Sequence, residues 1–136
     1  MSTKIFVNLP VKDLGRSKEF FTRLGYSFDP QFTDENAACL VISDDIYAML
    51  LVEPFFKNFT RKEIVDATTA TESILALSAD SREEVDELVD RALASGGRPS
   101  MEPMADGPMY SRSFQDPDGH LWEIVYMDPA ALTQQG

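Results

Sequence analysis

The chain has 136 residues, 43% hydrophobic and 26% charged, the balance of one globular domain long enough to bury a core. Its 23 acidic side chains against 12 basic ones give a formal net charge of -11, which disfavours nucleic acid and anionic lipid surfaces, since both need clustered Lys and Arg. No apolar run is long enough for a membrane span or signal peptide, so a cytoplasmic setting is expected, and the single cysteine, Cys39, permits neither an intrachain disulfide nor a cysteine metal cluster.

Residues 4 to 9, KIFVNL, read as a strand leading through Pro10 to the helix LGRSKEFFTRLG. Leu14, Ser17, Phe21 and Leu24 share one face of that helix, with Asp13 placed to cap its start and Gly25 its end. YSFDPQF, NAACLVIS and IYAMLLV follow as three β-rich runs separated by polar turn residues such as Ser43-Asp44-Asp45. EPFFKNF carries Phe55, Phe56 and Phe59, which could close a ligand site, pack on a partner or join the core. In FTRKEIVDATTA, Thr60 and Glu63 have capping-box spacing, which predicts a linker helix within about 54–71. ESILALSA at 72 to 79 reads as a strand.

SREEVDELVDRALASGG then predicts a helix with Ser81 and Glu84 as capping box, a stripe of Val85, Leu88, Val89 and Ala92, and a Gly96-Gly97 stop. Residues 98 to 102, 109 to 115 and 120 to 126 read as strands. Ala105-Asp106-Gly107-Pro108 between them reads as a loop, flanked by Met101, Met104 and Met109, that could serve as a lid. Both halves therefore read β-α-β-β-β, one module at about 4–53 and another at about 72–128 of a single 1–136 domain. Element order repeats although residue identity does not. Aligning FVNLPVKD with ILALSADS pairs Phe6 with Ile74 and Asn8 with Ala76, and aligning DDIYAMLLV with DGHLWEIVY pairs Met49 with Glu123.

Period-two alternation assigns faces. Ile5, Val7 and Leu9, Leu75 and Leu77, and Trp122, Ile124 and Tyr126 take the helix side. Phe6, Asn8, Tyr47, Met49, Leu51, Ile74, Ala76, Leu121 and Glu123 take the other. In SFQDPDGHLWEIVYMDP, Asp116-Pro117-Asp118-Gly119 is strong turn chemistry, and Glu123 interrupts a run otherwise apolar enough to be buried. A carboxylate there needs a partner, a metal, a ligand or water.

The combination of VKDLGRSKEFFTRLG with the late SFQDPDGHLWEIVYMDP, over a repeated β-α-β-β-β order, resembles the glyoxalase, bleomycin-resistance and extradiol dioxygenase superfamily. More narrowly, FVNLPVKDL through FTDENAACLVISDDIYAMLLVEPFF is similar to a bacterial subgroup described as predicted lactoylglutathione lyases. The resemblance implies an α+β fold in which two tandem modules form a curved, partly open barrel around a ligand cup, with homodimers common. In metal-dependent members the ligands come from the first and last strand of each module. Carried over, those positions are Phe6, Met49, Ile74 and Glu123, and only Glu123 can bind a metal.

A catalytic zinc or nickel site needs about three donors, and non-haem iron commonly takes two His and a carboxylate. His120 is the one histidine, in the turn before the last strand with parity opposite to Glu123. The expectation is therefore no metal and no cofactor. What is expected instead is a cup binding a small, largely apolar molecule, lined by Phe6, Asn8, Tyr47, Met49, Leu51, Ile74 and Ala76, with Glu123 as polar anchor and Arg112 as a candidate cation. The alternatives are a glyoxalase-like lyase or related enzyme with Glu123 as general base, and a dimeric scaffold without a small ligand. The serines lack a His-Asp context, and no phosphate-cradling motif is present.

Overall fold

The computed structural model describes residues 3 to 130, and the chain divides into two compact units at Asp66 and Ala67. In the first, β1 (Ile5–Val11) precedes α1 (Leu14–Arg23), followed by β2 (Ser27–Asp29), β3 (Ala37–Val41) and β4 (Ile46–Val52). Asp13 caps α1, its carboxylate accepting the Arg16 amide at 3.0 Å. Gly25, at φ 102, closes the helix as the Tyr26 amide reaches back to the Phe21 carbonyl at 3.1 Å, so orphan carbonyls of the last turn are satisfied.

The sheet order is β1-β4-β3-β2, with β1 and β4 parallel. One face carries Leu9, Val11, Ala48 and Leu50, all buried, and α1 contributes Phe20, Phe21 and Leu14 to the same core. Each of the Leu, Val and Phe side chains contributes roughly 1.5–3 kcal/mol by leaving water.

The region joining the halves departs from expectation. Helix α2 (Glu53–Phe56) occupies the aromatic segment with Pro54 in its first turn, and a 3₁₀ turn, Lys57–Phe59, follows it. Residues 61 to 73 are not helical. Thr60 accepts the Lys62 amide at 3.1 Å, a local turn rather than the first bond of a capping box, and the stretch beyond, with β-branched Ile64, Val65, Thr68, Thr69 and Thr71, has low helix propensity.

In the second unit, β5 (Ile74–Ser78), α3 (Arg82–Ala94), β6 (Arg98–Pro99), β7 (Met104–Asp106), β8 (Met109–Gln115) and β9 (Leu121–Met127) follow in order. The Ser81 hydroxyl accepts the Glu84 amide at 3.1 Å while the Glu84 carboxylate accepts the Asp80 amide at 2.9 Å, so the predicted cap forms with its return bond one residue early. Val85, Val89 and Ala92 are buried as α3 packs on β8 and β9, whose Phe114, Trp122 and Ile124 are buried in turn.

The sheet order is β5-β9-β8-β6, with β7 also paired to β8. Two expectations are corrected here. The strand expected over 98 to 102 is only Arg98–Pro99, since Pro99 and Pro103 cannot donate to a ladder. The loop expected at 105 to 108 is half strand: Asp106 pairs with Met109 around a Gly107-Pro108 turn, with Gly107 at φ 60 as a type II′ hairpin requires at its first central position. Among the described residues no helix is long and apolar enough to cross a membrane.

Candidate functional site

The two sheets repeat one register. Phe6 stands opposite Tyr47 and Asn8 opposite Met49 on β1 and β4, while Ile74 stands opposite Leu121 and Ala76 opposite Glu123 on β5 and β9. These match the residue pairings drawn from the sequence alignment of the two halves.

On the first unit's sheet, the Phe6 and Tyr47 rings stack with centroids 4.9 Å apart and planes 10° from parallel. Lys4 Nζ lies 5.6 Å from the Tyr47 centroid, and the Tyr47 hydroxyl donates to the Asp44 carbonyl at 2.9 Å. The Asn8 amide donates to the Phe6 carbonyl at 3.2 Å. Met49 is half-buried, and Leu51, only 3% exposed, meets protein rather than solvent.

The second unit holds a small hollow of ≈ 80 Å³ on the sheet face that carries Glu123. Its apolar wall is Ile74, Met101, Met104 and Leu121, and its carboxylates are Glu102 and Glu123. Ile74, Met101 and Met104 are 60%, 73% and 54% exposed, so the hollow is shallow and wet. Ser113 stands opposite Glu123 in the ladder, and its hydroxyl accepts the Met101 amide at 3.0 Å, drawing the segment between β6 and β7 against β8. Among the described residues, the half-buried Glu123 carboxylate has no hydrogen-bond or ion-pair partner. Exposure to water therefore meets its solvation need.

Arg112 sits at the hollow's rim, but its guanidinium points the other way. It stands opposite Ile124 on the α3 side of the sheet, and Nη1 bonds Asp86 at 2.9 Å and Asp90 at 3.0 Å. The Tyr110 hydroxyl donates to the same Asp86 carboxylate at 2.6 Å, and Arg82 lies 5.2 Å from the Tyr110 ring centroid. Tyr110, followed by Arg112, holds Asp86 below the usual carboxylate range. The expectation of an Arg112 cation beside Glu123 is thus corrected: strand parity gives that face to Ser111 and Ser113. The hairpin turn in the sequence, run backwards to place residue 113 opposite 123, would have found them.

Asp116 does more than begin a turn. It is 3% exposed; one carboxylate oxygen accepts the Asp118 and His120 amides, each at 3.0 Å, and the other accepts the Trp122 indole N–H at 3.0 Å. Burial pushes its carboxyl upward against the lowering pull of His120 and these donors. Gly119, at φ 90, leaves no room for a side chain, since a Cβ would meet the Ala67 backbone at 2.8 Å.

A model of the bleomycin resistance protein-like N-terminal family matches residues 3–43. Among solved structures, hypothetical protein SA1046 from Staphylococcus aureus is 28% identical over 93% of this chain and 95% of its own, with a TM-score of 0.77. A glyoxalase-related enzyme from Fulvimarina pelagi is 20% identical over 93% and 88%, with a TM-score of 0.78. The chain has the fold of the glyoxalase/bleomycin-resistance/dioxygenase superfamily. A third structure of this fold, the fosfomycin resistance protein FosX from Listeria monocytogenes, is 22% identical over 93% of each chain at a TM-score of 0.66. No curated protein matches the chain.

The metal that glyoxalase-type folds can hold does not fit the donors present. At the four positions where the resemblance expects ligands, Phe6, Met49 and Ile74 offer no oxygen or nitrogen donor, and among the described residues no group of three His, Cys, Asp or Glu is placed to hold an ion. His120 belongs to the Asp116 turn, through its amide and carbonyl.

Proposed function

We propose that the protein binds a small, largely apolar molecule without a metal, using Glu123 as the polar anchor. The Glu123 carboxylate carries this proposal: it is unpartnered among the described residues and lines a hollow that sets Ile74, Met101, Met104 and Leu121 beside Ser100, Ser111 and Ser113. Ligand sites combine such apolar lining with a few placed polar groups, although a drug-sized ligand fills about 300–1,000 Å³ and this hollow is far smaller. It suits the polar head of a ligand and the first few carbons of its body.

The test is a small-molecule fragment screen read by the methyl resonances of Met101 and Met104. Saturable shifts at those two methyls, weakened by Glu123→Gln, are expected. Fragments that leave both unmoved would overturn the reading.

A second reading makes Glu123 a general base toward a bound substrate, favoured by the same open, unpaired carboxylate. Isomerisation of a hemithioacetal by the purified protein, abolished by Glu123→Gln, would establish it over simple binding.

We also propose a cytoplasmic homodimer, supported by large apolar side chains left exposed in the single chain, among them Phe6, Phe32 and Phe59. Sedimentation velocity checks it, and a single monomeric species at micromolar concentration would refute it.

A further inference from the structure

We infer that the ligand of the second unit's hollow is an organic cation, an ammonium head on an apolar body. This rests on the hollow being a ligand site at all, as proposed above, and adds the sign of the charge. The lining holds two carboxylates, Glu102 and Glu123, and neither has a partner among the described residues. The one cationic side chain at the rim, Arg112, is turned to the opposite face of the sheet and held there by Asp86 and Asp90. An anionic ligand would therefore meet two unneutralised carboxylates and no available counter-charge. A neutral one could offer a hydrogen bond but no opposite charge to either carboxylate.

The surroundings point the same way. Residues 67 to 136 carry thirteen acidic side chains and four arginines, so most of the chain's charge excess lies in this half. Such a field raises the local concentration of cations and speeds their encounter. It repels anions, including anionic conjugates that a carboxylate alone could not hold. The apolar wall of Ile74, Met101, Met104 and Leu121 then receives the carbon body. The thioethers suit this role, being polarisable and free to adjust their rotamers to an irregular partner.

The experiment compares three probes of similar length on the full chain: hexyltrimethylammonium, hexanol and hexanoate. Met101 and Met104 stand in the hollow's apolar wall, so their methyl resonances report occupancy. Saturable change is expected with the cation alone. Affinity should fall at least about tenfold in Glu123→Gln, decline with added salt, and stay unchanged in Glu87→Gln on the exposed face of α3.

Hexanol binding as tightly as the cation, with no loss in Glu123→Gln, would overturn the charge assignment while leaving an apolar ligand site standing. Equal weakening by Glu87→Gln would reduce the effect to diffuse surface attraction and also overturn it. If no probe shifts the Met101 and Met104 methyl resonances, the hollow is not a ligand site and both inferences fall. Thermal unfolding of each variant separates loss of binding from loss of fold.

Discussion

Asp116 and Glu123 lie seven residues apart and illustrate opposite uses of a carboxylate. Asp116 is buried, and three N–H groups converge on it, so the Asp-Pro-Asp-Gly turn and the start of β9 are organised around one side chain. Asp116→Ala strands the indole N–H and two amides, and we expect a loss of about 1–3 kcal/mol. Denaturant unfolding followed by Trp122 emission checks this, and an unchanged midpoint would show that water replaces the carboxylate. Glu123 makes no such bonds, so Glu123→Gln should leave stability within about 0.5 kcal/mol, as for a side chain outside any network. At Asp86 the sign of a pH effect can be worked out. Its carboxyl is held down by Tyr110 and Arg112, so its contribution is present above the ordinary carboxylate range and is lost as pH falls through the lowered value. A thermal-unfolding series from neutral to acid should lose less stability in Asp86→Asn than in the wild type, by a small margin because the side chain is half exposed.

Among elements, the β8–β9 hairpin is the most constrained. Gly119 must adopt a positive φ and lies against the backbone of residues 67 and 68, so two separate penalties meet there. Gly119→Ala should cost more than Gly96→Ala. Both strain the backbone by about 1–3 kcal/mol, but only Gly119 also collides, since Gly96 has open space around it. Comparing the two melting temperatures tests this, and equal losses would mean that the 67–68 segment simply moves aside. Helices α1 and α3 were legible because a cap, an apolar stripe and a glycine stop agreed within a few residues. The linker helix was misread from cap spacing alone. No stripe stood behind it, and Thr60 spends its hydroxyl on Lys62 instead. The β7 strand was missed because Met104, Ala105 and Asp106 carry little strand propensity and gain their ladder from β8.

At the scale of the whole molecule, Phe6, Met49 and Ile74 at the positions where the resemblance expects ligands lead to the prediction that no added divalent ion binds stoichiometrically. Native mass spectrometry after incubation with zinc, nickel, manganese or iron(II) checks this, and one tightly held ion per chain would overturn it. The charge of -11 predicts instead that salt weakens capture of a cationic ligand. By itself the sequence determined the β-α-β-β-β order of the first half and, but for β7, of the second, both capped helices, the face assignments of β1, β5 and β9, and the poverty of metal donors. All of these depend on residues close along the chain or on composition. Only the tertiary structure decided that Arg112 pairs with Asp86 and Asp90 of α3, and that Met101, Glu102 and Met104 border the hollow beside Glu123. Such facts turn on which strand neighbours which and on which side of a sheet a chain passes, and hydrophobic periodicity constrains neither.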